Sequence, residues 1–393
     1  MRTASHRSAS RVGSSAPTPR GATSPRDETN PTATRTLQRT GHLRAPILDD
    51  RVGVRHPRRA RRAGAWTRGR VGCAPRPRSR PVPKHLLADL DRLDFDEVVD
   101  RCRRVSEPFR VTDGKGFRLR DVDPDDTLGL RDDDKERSEA ALAVGVRTLA
   151  RLQDVLYAQD RWALLLVVQA MDAAGKDGVV KHVMSGVNPQ GCQVHSFKVP
   201  SSEELDHDWM WRCVQRLPNR GNIGIFNRSW YEETLVVRVH PEILASQKLP
   251  KSLVTDAIWD ERFQDIRAFE RYLARNGTVV RKFMLHVSKK EQRRRFLDRI
   301  ADPDRRWKFA LGDVKERGHW DAYMEAYEDA VRSTATEHAP WYVVPADHKW
   351  FTRLVVAAAT IVTLADLDLA YPEVDAVKKR DLETARRLLA KKA

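Results

Sequence analysis

The sequence contains few cysteines, no long apolar run and no apolar leader. Its four cysteines form no CxxC pair among 393 residues, which argues against a zinc site or a disulfide framework and favours a reducing compartment. The longest apolar run, about Leu354 to Leu364, is shorter than the ~20 residues that a membrane-spanning helix needs. The N-terminus has no apolar stretch like that of a secretory signal. We therefore predict a cytoplasmic protein that does not insert into a membrane.

Most of the chain also lacks an excess of charge. Lys and Arg number 71 against 55 Asp and Glu, a formal net charge of +16. Residues 1–80, however, contain 19 arginines, no lysine and four acidic residues, which leaves 52 basic and 51 acidic groups in the rest. A nearly neutral folded part excludes a basic fold of the histone-like kind.

Residues 1–82 are rich in Arg, Ser, Thr, Pro and Gly and poor in aliphatic clusters. Such a segment buries too little apolar surface to offset its chain entropy, so we predict a disordered extension. Three interpretations remain open: a non-functional extension, an organelle transit peptide and a polyanion-binding tail.

The remainder divides into three predicted parts. Residues 83–137 form an N-terminal arm with turn chemistry such as Asp113-Gly114. Residues 138–370 form the main domain, and residues 371–393 form a C-terminal helical tail.

Strand-like and helix-like segments alternate through the main domain. A helix is predicted from Ser138, as its cap, to Asp160. The next segment, Ala163 to Gln169, is predicted to be a strand buried on both faces, as in a parallel sheet. Further strands are predicted at Val194–Val199, Ile223–Phe226, Thr278–Val287 and Trp341–Pro345, and further helices near 177–186, 203–216, 253–275, 289–301, 319–335 and 348–368. The alternation indicates a doubly wound α/β fold with a five-stranded parallel sheet.

The first strand runs into a loop of small residues that precedes a helix. The loop, Ala170 to Gly178, reads AMDAAGKDG, a degenerate form of the phosphate-binding motif GxxxxGK[ST]. Inward-turned amides and the helix dipole favour a phosphate, and Lys176 supplies a mobile positive charge. The alternative is an ordinary glycine-containing turn. The phosphate-binding interpretation assigns to the site Ala174, Gly175, Asp177 and Gly178.

Asp172 lies inside this loop and is a candidate magnesium ligand, directly or through water. Asp177 stands where the motif normally has the Ser or Thr that binds magnesium. The carboxylate of Asp172 would then take the role of that hydroxyl. The alternative is a helix-capping role for Asp172.

A second polar cluster follows the strand at Ile223–Phe226. Open α/β sheets bind their ligands at the carboxyl ends of strands. Asn227 occupies the position where related strands place a magnesium-binding acid, Glu232 lies five residues on, and Arg228 can neutralise a transferring phosphoryl group. The alternative is a helix cap by Ser229 beside a surface arginine.

A third region, Lys289 to Gly318, carries a net charge of +5 from eleven basic and six acidic residues. Arg295 and Arg299 are four apart and share a helix face, and Arg305-Arg306 follow a turn. Lys181 and Lys198 add charge near the phosphate loop. A solvated basic helix and surface lysines are the alternatives.

Taken in order, these segments resemble the family-2 polyphosphate kinases over roughly residues 105–370. The likeness rests on a series of motifs rather than on the phosphate loop alone. They are Asp172–Gly178, Ser185–Gly191, Ser196–Lys198, Glu204–Asp208, Asn227–Glu232, Phe283–Lys308 and Thr336–Pro345.

The resemblance implies a P-loop kinase-like three-layer α/β/α sandwich with a helical lid at about 289–318. It implies that inorganic polyphosphate is the phosphoryl donor, that a nucleoside mono- or diphosphate is the acceptor, that Mg²⁺ is required and that the chain forms a homo-oligomer. Lys176, Asp172 and Arg228 match the catalytic positions. Lys181, Lys198, Arg305 and Arg306 would contact polyphosphate, and the magnesium ligands would be Asp172, Asn227 and Glu232.

The sequence departs from the family at two positions. Family members usually carry Gly where Ala170 stands, and many carry Asp where Asn227 stands. The second difference resembles the subgroup that accepts both mono- and diphosphates.

Two other functions are weighed against this one. An ATP-dependent nucleotide kinase of similar fold would bind a single nucleotide as donor, whereas the long basic surface favours a polymeric anion. A nucleic-acid-binding protein would use the arginine-rich extension, but no platform of aromatic and basic residues accompanies that extension.

Overall fold

The structure, a computed structural model, describes Leu87 and residues 93–390. The extension predicted for residues 1–82 lies outside the described residues. The strands are β1 (Arg110–Val111), β2 (Ala163–Ala170), β3 (Cys192–Ser196), β4 (Ile223–Asn227), β5 (Thr278–His286) and β6 (Trp341–Pro345). The helices are α1 (Phe95–Ser106), α2 (Lys135–Gln159), α3 (Lys176–Val183), α4 (Trp211–Val214), α5 (Val236–Val239), α6 (Pro241–Ser246), α7 (Ile258–Arg275), α8 (Lys289–Ala301), α9 (Leu311–Glu316), α10 (Trp320–Thr334), α11 (Lys349–Ala365) and α12 (Ala376–Ala390).

The six strands form one mixed sheet in the order β1-β6-β5-β2-β4-β3. Strands β2 to β6 are parallel, whereas β1 pairs antiparallel with β6, Arg110 opposite Tyr342 and Val111 opposite Trp341. The prediction of a five-stranded, purely parallel sheet is therefore wrong in that it omits this edge strand. Two residues are too few to show a period of alternation, so the pattern could not indicate β1.

Strand β2 lies between β4 and β5, and all eight of its residues are buried. This confirms the strand that its continuous apolar run predicts. Because β2, β4 and β5 are parallel, their carboxyl ends lie at the same edge of the sheet, and the polar segments that follow them are brought together there.

Helices pack on both faces of the sheet. Arg281 and Lys282 are consecutive in β5, so their side chains leave opposite faces. Arg281 donates to Thr363 Oγ1 in α11 at 3.0 Å, while Lys282 contacts Glu270 in α7 and Thr334 in α10. Helix α11 thus covers one face, together with α1, α2 and α3, and helices α7 and α10 cover the other.

The N-terminal arm contains a helix that the sequence pattern did not indicate. Helix α1 begins after Asp94, whose carboxylate accepts from Glu97 N while Glu97 accepts from Asp94 N, a reciprocal cap. The cap predicted at Ser138 is wrong, because α2 already begins at Lys135. The Ser138 hydroxyl instead lies inside the helix and donates to Asp134 O at 2.9 Å.

The helix predicted over 203–216 is mostly absent, and only Trp211–Val214 is α-helical. Local side-chain hydrogen bonds hold the preceding backbone in turns. Asp208 Oδ1 accepts from Met210 N and Trp211 N, and the Ser201 and Glu204 side chains each accept from the other residue's backbone amide.

Helix α11 contains the longest apolar run of the sequence, and 14 of its 17 residues are buried. It packs against α1, α2 and α3. Among the described residues, no helix combines the length and the apolar character that crossing a bilayer requires.

A buried ion pair ties the sheet to α7 and α10. Lys282 Nζ lies 2.6 Å from Glu270 Oε2 and donates to Thr334 O at 2.8 Å, and both charged side chains are almost fully buried. Tyr231, in the turn after β4, donates to the other Glu270 oxygen at 2.8 Å. Burial raises the pKa of Glu270 and lowers that of Lys282, and each partner opposes the shift of the other.

Glu270→Gln is expected to destabilise the fold by about 3–5 kcal/mol, because it leaves the Lys282 ammonium buried without its counter-charge. Asp100→Asn is the control, since Asp100 pairs with Arg104 on the surface and both side chains are 55% exposed. That variant should lie within about 0.5 kcal/mol of wild type. Equilibrium urea unfolding measures both, and equal losses would contradict a structural role for the pair.

Candidate active site

A cavity of about 1710 Å³ lies where β2 and β4 end. The loop after β2, the start of α3, the segment after β4 and part of α8 line it. All but one of the predicted site residues are among its lining residues: Asp172, Ala174, Gly175, Lys176, Asp177, Gly178, Lys181, Lys198, Asn227, Arg228, Glu232 and Arg305. Arg306 is exposed on the adjacent turn and is not part of the lining.

The loop between β2 and α3 has two residues in the left-handed region, Ala173 at φ 61° and Gly175 at φ 112°. Glycine takes this conformation freely, whereas an alanine is strained there. Ala170, which replaces the usual glycine, is the last residue of β2 and is not one of the left-handed residues. An alanine is therefore tolerated at position 170, and the strain in the loop is at Ala173.

Lys176 is the first residue of α3, and its side chain folds back on the loop. Its ammonium donates to Ala170 O at 2.5 Å and lies 3.4 Å from Met171 O. Burial, and then the positive charge of Arg228, lower the pKa of Lys176. An anion entering between the two cations would relieve their repulsion, so the arrangement favours a phosphate.

Arg228 connects the two strand ends. Its backbone amide donates to Val168 O in β2 at 3.0 Å, and its own φ is 67°. From this conformation the guanidinium reaches Glu232 Oε2 at 2.8 Å and Asp172 Oδ1 at 3.2 Å. Glu232, and then Asp172, raise the pKa of Arg228, so its positive charge is fixed in the cavity.

Both alternative roles weighed from the sequence can be compared with this geometry. Ser229 does cap the following turn, because its hydroxyl accepts from Tyr231 N at 3.2 Å. The adjacent Arg228 nevertheless points into the cavity. Asp172 does not cap α3, whose N-cap is Gly175, and its carboxylate pairs with Arg228 instead.

Asn227 faces the start of α3. Its Nδ2 donates to Asp177 Oδ1 at 3.0 Å, and within the described part of the chain its buried Oδ1 has no hydrogen-bond partner. An unsatisfied buried carbonyl oxygen is costly unless something binds it. The atom is therefore a candidate ligand for a cation or an ordered water.

The predicted lid segment contains both buried and exposed arginines. Arg305 is 72% exposed and pairs with Asp302, whereas the Arg295 side chain is 4% exposed. Arg299, expected to share a face with Arg295, lies 3.6 Å from Asp313 in α9. The charges of this segment therefore do not form one solvated face.

Five cations of the cavity were missed by sequence reasoning: Arg212, Lys248 and Arg262, at the end nearest β3 and α7, and Lys349 and Arg353 of α11. Lys349 and Arg353 lie in a helix whose sequence predicts that it is buried in the core, because nearly all its other residues are apolar. The available signal was their spacing of four, which places both on one face. In the structure Arg353 lies next to Gly178 in α3, and Arg295 and Arg305 are among the charges around Lys349.

The part of the cavity nearest β3 and α7 has a different character. Three of its cations are paired: Arg212 with Glu204, Lys248 with Asp206 and Arg262 with Glu233. The guanidinium of Arg262 also lies 4.8 Å from the ring centre of Trp209. This end offers paired polar groups and an aromatic ring, in contrast to the cations at the α3 and α11 end.

The chain is an α/β protein, and glycine, lysine and arginine residues converge at the ends of its parallel strands in a candidate phosphate-binding site. Comparison with known proteins is more specific, because residues 132–371 match the family model described as Polyphosphate kinase 2 (PPK2). The chain belongs to this family, which confirms the resemblance seen in its motifs.

Curated relatives and a solved structure are similar over most of their length. The chain is 50% identical to the ADP-polyphosphate phosphotransferase of Rhodopseudomonas palustris, over 65% of this chain and 89% of that protein. It is 45% identical to the AMP/ADP-polyphosphate phosphotransferase of Meiothermus ruber, over 69% and 97%. The crystal structure of polyphosphate kinase 2 from Arthrobacter aurescens TC1 aligns with a TM-score of 0.64 at 40% identity, covering 71% of this chain and 96% of that one.

Proposed function

We propose that this chain transfers phosphoryl groups between inorganic polyphosphate and a nucleoside mono- or diphosphate. The observation that carries the proposal is the convergence of Lys176 and Arg228 on one cavity whose two ends differ in charge. The names of the two curated relatives, which are polyphosphate phosphotransferases acting on ADP and on AMP or ADP, agree with it. The scaffold proposed is a P-loop kinase-like three-layer sandwich, in keeping with helices on both sheet faces.

The cation-rich end is assigned to the polyphosphate donor. Lys181, Lys349, Arg353 and Arg305 lie on three separate segments, α3, α11 and the lid, and all line the cavity. A polymeric anion with a charge on every phosphate needs such a row of cations along its path, because each exposed contact is weak. Lys198 is exposed, follows β3 by two residues and lines the cavity, and we place it beside the transferring group.

The end with paired charges is assigned to the acceptor nucleotide. The ion pairs at Glu204, Asp206 and Glu233 offer both donors and acceptors, which a nucleobase and a ribose need and a polyphosphate does not. Trp209 adds an aromatic surface at the same end. Donor and acceptor phosphates would then meet between Lys176 and Arg228.

The chemistry of transfer is mainly electrostatic. A loose, in-line phosphoryl transfer spreads charge over the equatorial oxygens, and fixed cations stabilise that charge. Arg228 is already oriented by Asp172 and Glu232, so little reorganisation is required when charge develops. The Lys176 ammonium has to leave the carbonyls of Ala170 and Met171 and turn to the incoming phosphate. Such a transfer asks little of a general base.

Magnesium fits the residues present. No group of three His, Cys, Asp or Glu side chains within residues 93–390 is arranged to hold a metal. Mg²⁺, however, commonly takes only one or two carboxylates and completes its shell with water and substrate phosphates. Asp172, Glu232 and the unsatisfied Asn227 Oδ1 supply two carboxylates and one amide oxygen. When bound there, the ion would neutralise phosphate charge.

Other expectations from the sequence enter this proposal as predictions. They are the domain bounds 138–370, a lid at about 289–318 that closes on the donor, a homo-oligomeric state and a cytoplasmic location. An ATP-dependent nucleotide kinase remains the second candidate, and the row of cations at the donor end argues against it.

Lys176→Ala is expected to lower kcat by ~10²–10³, because it removes an ammonium that contacts phosphate in the transition state. Lys135→Ala, at an exposed position at the start of α2, is the control and should retain wild-type activity. Initial rates of ATP formation from polyphosphate and ADP measure both variants. A folded Lys176→Ala protein with near-normal turnover would contradict the phosphate-loop assignment.

Arg305→Ala should sharply lower activity, whereas Arg306→Ala should not. Both arginines are exposed, so neither change should shift the thermal unfolding temperature appreciably. Only Arg305 lines the cavity. The measurement is kcat/KM for polyphosphate in each variant, relative to wild type. A loss in Arg305→Ala alone indicates a specific contact from the lid, whereas equal losses in the two variants would refute that contact and indicate a general effect of positive charge.

Asn227→Asp should lower thermal stability in EDTA, because it sets a second carboxylate against Asp177 in place of the 3.0 Å hydrogen bond. Mg²⁺ should raise the unfolding temperature of this variant more than that of wild type, since the cation offsets the repulsion. The double variant Asn227→Asp/Asp177→Asn is the control and should regain stability without Mg²⁺. Equal Mg²⁺ shifts in wild type and Asn227→Asp would count against a metal at this position.

A further inference from the structure

The buried Arg295 in α8 uses all of its hydrogen-bond donors within the protein. Its Nε donates to Glu291 Oε1 at 2.7 Å. Its Nη1 donates to Ala173 O at 3.0 Å and Ala174 O at 2.8 Å, and its Nη2 donates to Ala346 O at 2.5 Å and Asp347 O at 2.9 Å. A guanidinium has five N–H groups, so none remains for a phosphate in this arrangement.

The contacts fall on the strained part of the phosphate loop. Ala173, one of the two carbonyl acceptors from this loop, is the non-glycine residue in the left-handed region. Such a conformation is strained in a residue with a side chain and persists only where the surroundings hold it. The fork of Arg295 supplies that restraint from outside the loop.

The direction of these carbonyls also decides where the loop amides point. In a trans peptide the C=O of one residue and the N–H of the next lie on opposite sides. Because Ala174 O faces Arg295, the Gly175 N–H is turned away from the guanidinium, on the side that remains for an anion. The phosphate-binding geometry of the loop is therefore coupled to Arg295.

Gln292, one turn earlier in α8, extends the same contact. Its Nε2 donates to Asp172 O at 3.0 Å, and its Oε1 accepts from Arg317 Nη1 at 2.9 Å. Helix α8 thus holds three consecutive loop carbonyls, those of Asp172, Ala173 and Ala174. Through Ala346 and Asp347 the same arginine also ties the loop to the segment that leads into α11, where the donor-side cations Lys349 and Arg353 lie.

We infer that Arg295, assisted by Gln292, is a positioning residue that holds the phosphate loop in its binding conformation and does not itself bind phosphate. The inference rests on the proposed function, since the rate of that transfer is one of its readouts. This role differs from the contact with the donor that the sequence predicts for Arg305 and Arg306. Because this part of α8 is bound to the phosphate loop, only the part of the lid that follows Arg295 in the chain is free to move.

The test compares Arg295→Lys with wild type. Lysine keeps the charge but lacks the planar fork, so it cannot hold the loop and the 346–347 segment together. The kcat for transfer from polyphosphate to ADP should fall ~10²-fold, as expected when reacting groups are displaced by about 1 Å. The KM for both substrates should change little, because no substrate contact is lost.

Arg238→Lys is the matched control. Arg238 is also partly buried and pairs with Asp329 at 2.7 Å, but it does not line the cavity. Its kcat should stay within about twofold of wild type, since a single partly exposed ion pair contributes little. Guanidinium added to Arg295→Ala should restore part of the lost kcat, whereas ammonium at the same concentration should not.

The possible outcomes distinguish the proposed function from the positioning role inferred for Arg295. A wild-type chain that transfers no phosphate contradicts the proposed function. If the wild type is active and kcat is unchanged in Arg295→Lys, the inference is contradicted. It is also contradicted if the only effect is a higher KM for polyphosphate, because Arg295 would then be a ligand of the donor. If Arg295→Lys does not fold, Gln292→Met decides, because it removes the bond to Asp172 O, together with the one from Arg317, and leaves Arg295 unchanged: kcat must fall at constant KM.

Discussion

The bridge from Arg228 to Asp172 and Glu232 is the interaction on which the site depends. It joins the end of β4 to the loop after β2, and it holds a permanent positive charge in place before any substrate arrives. The two carboxylates also offset the repulsion between this charge and that of Lys176. Removing both acids would leave two cations in a partly buried cavity without the carboxylates of the bridge, an arrangement that favours an entering anion.

Two buried networks support the two segments that this bridge joins. Below the turn that follows Arg228, Tyr231 donates to Glu270, which pairs with Lys282 in the neighbouring strand β5. Beside the loop that carries Asp172, Arg295 binds the backbone carbonyls. Each network costs desolvation energy, and each is satisfied by several hydrogen bonds. The reacting groups are thereby held by the rigid sheet and by α8.

Sequence patterns predicted the parts of this structure that depend on local composition. They include β2, which is apolar except for Gln169, the basic segment and the loop around Lys176. Each was visible because it is a contiguous run with its own chemistry. The edge strand β1 and the role of Arg295 were not, since they depend on partners far away in the chain. The turns over 203–210 were missed because local side-chain hydrogen bonds there compete with the helix that the pattern predicts. Lys349 and Arg353 were hidden for the opposite reason, because a strongly apolar helix surrounds them.

The identity of the phosphoryl donor distinguishes the proposed function from that of an ATP-dependent nucleotide kinase most directly. The full chain, with Mg²⁺ and ADP, is supplied with polyphosphate as the only donor, and ³¹P NMR follows the nucleotide. A parallel reaction contains AMP and ATP without polyphosphate. The cation-rich donor end predicts that ATP forms from polyphosphate and that the polymer loses one phosphate for each ATP formed. ADP formed from AMP with ATP, together with no transfer from polyphosphate, would contradict the assignment of the cavity to a polymeric anion.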